Sequence, residues 1–172
     1  MYLINQGIVL RDFLLEDIPN KIKWINDPDN NTFLHYDLPL IYNKTVEWFN
    51  NKNNNYRIDA IIEYNNIPVG LIGLLSIDSS NNKAEFYITI GDKNYKNKGI
   101  ATTATKMMLE YAFGELSLNK IYLNVDKENL YAIKLYEKVG FVCEGIFKED
   151  LIHNGRYIDR LRYAILNNEY KL

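Results

Sequence analysis

The chain has 172 residues, 47% of them hydrophobic, enough for one core and a single domain over residues 1–172. A formal net charge of -2, with acids and bases scattered, leaves no basic face of the kind that binds nucleic acid. The lone Cys143 forms no intrachain disulfide, the first residues lack a signal-peptide pattern and no apolar run approaches a membrane span, so a soluble cytoplasmic protein is expected.

The first predicted strand runs from Ile8 to Phe13. A helix follows in which Ile18, Ile22 and Ile25 recur at helical spacing, with Pro19 early enough to be tolerated. The segment DPDNNTFLHYDLPLIY has two prolines and no period, which predicts a loop or short helical turns. A second helix follows Asn43 through KTVEWFN and dissolves into an asparagine-rich, solvated loop. From Tyr56 the period becomes two. YRIDAIIEY and IPVGLIGLLSI, joined by a turn at Asn65-Asn66, read as paired antiparallel strands, with AEFYITI as a third.

A polar loop with three lysines then leads into a helix hinged at Gly99 and reaching Phe113. KIYLNVD is another strand, and LYAIKLYEKV another helix, capped by Asn129 and stopped by Gly140. The remainder is two strands around Asn154-Gly155, a two-residue hairpin signal. Cys143, entering an apolar strand, is expected in the core, and Trp24 and Trp48 are expected as packing anchors rather than acceptor-site walls.

One helix joins AEFYITI to KIYLNVD, so these strands should lie parallel as a right-handed crossover unit. The expected fold is α+β: a mixed, mostly antiparallel sheet with a parallel pair near its middle and about four flanking helices.

A helix starting just after a parallel strand presents unpaired N–H groups and the positive end of its dipole, where phosphates bind. Gly99 would admit a phosphate without a Cβ, and Lys93, Lys96 and Lys98 add charge to the same turn. Neither a Walker motif nor a G-x-G-x-x-G turn is present, and taken alone KNKGIA reads as an ordinary loop entering a helix. Further on, Asn129 and Tyr136 stand about two helical turns apart and share a face.

Together these segments resemble the GNAT superfamily of acyl-CoA N-acyltransferases. The family's phosphate loop, Arg/Gln-x-x-Gly-x-Gly/Ala, is matched by Lys96-Asn97-Lys98-Gly99-Ile100-Ala101 with Lys in first place. Its later motif, Asn-x-x-Ala-x-x-x-Tyr-x-x-x-Gly-Phe, is matched without a gap by Asn129, Ala132, Tyr136, Gly140 and Phe141. W-x-N-D-P near the start and the terminal hairpin look like the branch containing ribosomal-protein N-terminal, polyamine and amino-sugar acetyltransferases.

The resemblance implies a splayed parallel strand pair and acetyl-CoA as co-substrate. It places the pyrophosphate on residues Lys96 to Ala101, and the pantetheine arm along the main chain of Ile88, Thr89 and Ile90, with Asn129 as helix cap and pantetheine contact. It implies Glu85 as the base that deprotonates the amine, directly or through water, and Tyr136 as the acid that protonates the departing sulfur. No metal is expected, because His35 and His153 are distant in sequence and lack metal-ligand spacing.

The acceptor site falls by the same resemblance on the loop with His35, Tyr36 and Asp37 and on the hairpin with Glu149, Asp150 and His153. The carboxylates visible there are thin for a polycation, which favours a small amino-sugar acceptor over a protein N-terminus or a polyamine. A catalytically silent acyl-CoA-binding domain is the alternative of another class. A homo-oligomer is compatible with the sequence.

Overall fold

A computed structural model describes residues 1–170. The chain opens with a hairpin, β1 (Tyr2–Asn5) and β2 (Ile8–Asp12), around a turn at Gln6-Gly7. β1 is an addition to the expected elements: it is a mostly exposed edge strand of four residues, too short to carry a period. Next come α1 (Ile18–Asn26), the single turn α2 (Pro28–Asn31) and α3 (Tyr42–Asn51). The Asp27 side chain caps α2 by accepting from the Asp29 N–H at 3.0 Å, so the proline-rich segment does contain a short helical turn.

β3 (Ile58–Tyr64), β4 (Ile67–Asp78) and β5 (Lys83–Ile90) form an antiparallel meander, turning at Asn65-Asn66, both left-handed. The crossover helix α4 (Ile100–Gly114) leads to β6 (Lys120–Asp126), and α5 (Leu130–Val139) leads to the terminal hairpin of β7 (Val142–His153) and β8 (Arg156–Leu166). Among the described residues the sheet has eight strands in the order β1-β2-β3-β4-β5-β6-β8-β7, and only β5 and β6 are parallel.

Strand alternation sends side chains to two cores. Ala60, Ile62 and Ile72 join Met108, Leu109 and Ile121 beneath α4 and α5, while their neighbours Ile61 and Leu71 pack with Ile18, Ile25 and Trp24 beneath α1 and α3. Each fully buried Ile or Leu contributes about 1.5–3 kcal/mol. Trp24 is packed as expected, and it fixes Gly91: a Cβ there would come within 2.1 Å of the indole, so only glycine lets β5 end against α1. Cys143 differs from expectation. It is exposed, because β7 is an edge strand that pairs on one side only and is exposed along most of its length.

The feature that positions the site is the end of the parallel pairing. β5 and β6 are in register at Lys83–Lys120, Ala84–Ile121 and Glu85–Tyr122, and beyond Glu85 they separate. No helix among the described residues is long and apolar enough to cross a membrane.

Candidate active site

Glu85 stands at the apex of the splay, half-buried, and its Oε1 accepts a hydrogen bond from the Asn124 side-chain amide at 3.2 Å. Asn124 is held in turn by Arg162, which donates to its carbonyl oxygen at 3.3 Å. Past the apex β5 keeps bonding to β4: the Gly91 N–H donates to Val69 at 2.9 Å. By alternation the N–H groups of Ile90 and Ile88 point the other way, into the open splay. A backbone donor beside Ile88 is therefore free for a developing oxyanion.

On the α4–α5 side a groove of about 660 Å³ runs from this opening to the start of α4, walled by Ile88, Thr89, Ile90 and the loop through Ala101. Asn97 and Gly99 are both left-handed, at φ 61° and 77°, so the loop curls its amides inward. The first helical bond runs from Thr103 N–H to the Gly99 carbonyl at 3.1 Å and no side chain caps the helix. The N–H groups of Ile100, Ala101 and Thr102 are thus left for a ligand. A Cβ on Gly99 would meet nothing within 4 Å among the described residues, so it is the positive φ and not crowding by the chain that asks for glycine there. These features fit a pyrophosphate.

The lysines divide differently from expectation. Lys96 lines the groove and donates to Asn30 Oδ1 at 2.6 Å, whereas Lys98 is absent from its wall and lies 5.1 Å from the Tyr95 ring. Lys134 and Lys138, one helical turn apart on α5, line the groove instead. Their spacing was visible in the sequence, but their direction depends on how α5 packs.

Asn129 caps α5 through its side-chain oxygen, which accepts from Ala132 N–H at 3.2 Å, and it also faces the groove. Both expected jobs are compatible with that place. Tyr136 is 7% exposed, packs edge-on to Phe86 and Phe141, and reaches both the groove and the cavity beyond the splay. Burial alone holds its phenol well above the ordinary value, so it stays protonated and can donate.

Through the splay, on the α1–α3 side, lies a cavity of about 310 Å³ containing Glu85, His35 and Tyr36. It shares Phe33, Tyr36 and Asp126 with a wider basin of about 1360 Å³ between the Asp37 loop and the terminal hairpin. Asp37, Asp126, Glu128, Glu149 and Asp159 line that basin, against Lys127 and Arg156. The thin supply of carboxylates inferred from the sequence is corrected here: Asp126 and Glu128 come from the β6–α5 junction, distant in sequence from the loop and the hairpin. His35 Nε2 lies 2.9 Å from both oxygens of Asp126, and the His35 and His153 rings meet edge to face at 4.9 Å.

Asp150 is not part of either wall and pairs with Arg160 at 3.3 Å. Trp48 packs edge-on to Phe13 and also lines the cavity that holds Glu85. Among the described residues no cluster of His, Cys, Asp and Glu could hold a metal ion.

Residues 8–142 match the family model of the acetyltransferase (GNAT) domain. The chain belongs to the GNAT acetyltransferase family. It is 39% identical over 110 residues to the spermidine N(1)-acetyltransferase of Escherichia coli K12, a match spanning 64% of this chain but only 59% of that relative. Against the spermidine N(1)-acetyltransferase of Vibrio cholerae it is 37% identical over 134 residues, covering 78% and 74%. The crystal structure of the Vibrio cholerae spermidine N-acetyltransferase in complex with CoA and spermine superimposes with a TM-score of 0.89 at 31% identity, covering 96% and 99%. The splayed pair, the α4 cradle and the α5 face are thus a GNAT arrangement.

Proposed function

We propose that this GNAT protein transfers the acetyl group of acetyl-CoA to a primary amine of a polyamine such as spermidine. The observation that carries the acceptor is the carboxylate-lined basin joined to the Glu85 cavity through Asp126. A polyamine reacting at one end keeps its other ammonium groups, and clustered carboxylates offset their charge. The named relatives favour the same acceptor. This reverses the preference for an amino sugar drawn from the aromatic loop residues, because that preference rested on too few carboxylates.

In this reading the α4 amides, Lys96, Lys134 and Lys138 hold the diphosphate, and the free edge of β5 at Ile88 to Ile90 holds the pantetheine arm. Glu85 takes the proton from an amine whose pKa is about 10, leaving it nucleophilic. The amine nitrogen bonds to the thioester carbonyl carbon, the splay-facing N–H near Ile88 stabilises the oxyanion, and the C–S bond breaks. Tyr136 supplies the proton to the departing sulfur, and the second proton that the new amide nitrogen sheds restores the phenol.

The basin is tested by Glu128→Gln combined with Glu149→Gln, both exposed positions. KM for spermidine should rise about tenfold while KM for acetyl-CoA stays constant. An unchanged spermidine KM would remove the basin, and the polyamine with it.

A further inference from the structure

The Glu85 cavity has a second, oppositely charged end. Lys21 of α1 is 8% exposed, yet its ammonium forms no hydrogen bond or ion pair among the described residues. It sits 3.4 Å from the centre of the Trp48 ring and lines both the Glu85 cavity and a neighbouring one behind Trp48. Burial is the main influence on it and lowers its pKa to about 8, so at neutral pH it is still mostly charged.

The carboxylate nearest in kind, Asp59 of β3, is already used. It accepts from Arg57 at 2.7 and 2.8 Å, from Lys52 at 3.1 Å and from the Tyr87 hydroxyl at 2.8 Å. Two cations therefore already share this buried carboxylate, and Lys21 is left without one. The π face of Trp48 offsets only part of the cost of a buried charge, and an anion would offset the rest.

Sheet order keeps this end apart from the acidic basin, since Glu85 on β5 lies between Asp59 on β3 and Asp126 on β6. An acceptor seated at Glu85 can extend in either direction. One direction is anionic and the other cationic.

We propose that Lys21 anchors an anion subsite, through which the cleft also takes primary amines carrying a carboxylate at the far end. The subsite stands whether or not the polyamine reading does, because it uses the opposite end of the cavity. The ligand class is an ω-amino carboxylate long enough to reach from Glu85 to Lys21.

The test is calorimetry on the CoA-loaded protein. The probes are γ-aminobutyrate, δ-aminovalerate and ε-aminocaproate, each beside the monoamine of the same chain length. At least one amino carboxylate should bind about tenfold tighter than its monoamine, and Lys21→Met should bring that ratio to about one. Lys21→Gln serves if the methionine variant fails to fold. If no amino carboxylate outbinds its monoamine, or the advantage survives in a folded Lys21 variant, the subsite does not exist. Spermidine titrated in parallel reports on the acidic basin separately.

Discussion

The Asn124 amide donates to Glu85 Oε1 at 3.2 Å at the point where β5 and β6 part, fixing a carboxylate in the cavity beyond the splay. In the proposed reaction only about one amine in a thousand is neutral at pH 7, so removing a base at Glu85 would matter most there. Glu85→Gln should lower kcat roughly 100-fold at neutral pH, and the deficit should shrink toward pH 10 as solvent deprotonates the amine. A pH–rate profile of both proteins checks this; a deficit constant across the range would make Glu85 something other than the base.

Tyr136→Phe should slow transfer by about 100-fold with little change in KM for acetyl-CoA. The hydroxyl has no bond to lose among the described residues and the ring packing against Phe86 and Phe141 is kept, so Tm should hardly move. Steady-state kinetics paired with a thermal melt separates an acid from a packing residue.

At Gly99 two effects add. Alanine would be strained at φ 77° by about 1 kcal/mol, and its Cβ would stand in the anion's space. Gly99→Ala should therefore weaken CoA about tenfold or more in calorimetry while lowering stability only slightly. Equal affinity in the folded variant would take the α4 cradle out of the site.

Much of this was legible in the sequence for a local reason. The run from β5 through α5 carries its turns, caps and motif residues close together in the chain, so Glu85, Gly99, Asn129 and Tyr136 could be placed before any coordinates. The proposed acceptor side is not legible in the sequence because its parts meet only on folding. Asp126 and Glu128 join Asp37 across the cavity, His153 arrives against His35, and Lys21 is isolated because Asp59 spends itself on Arg57 and Lys52. Cys143 differs because an apolar stretch of sequence need not be a covered strand: β7 lies at the edge of the sheet.

Asp59 also makes a stability prediction. Burial raises its pKa, but the hydrogen bonds and charges of Arg57, with Tyr87 and Lys52, outweigh burial and leave it below the usual carboxylate value. A depressed carboxylate contributes stability above its unfolded pKa and loses it as pH falls through the folded one. Asp59→Asn should cost about 3 kcal/mol at pH 7, because it strands buried cations. Urea melts should show the gap between wild type and variant narrowing as the pH drops below about 4. A gap independent of pH would mean that the charge of Asp59 is not what stabilises.

The most direct measurement is thiol release from acetyl-CoA by the unmodified chain with spermidine, an N-terminal peptide and a nucleotide-linked amino sugar, compared as kcat/KM. Spermidine should exceed the other two by about tenfold or more, equivalent to roughly 1.4 kcal/mol of transition-state binding. An amino sugar or peptide ahead of spermidine by that margin would contradict it.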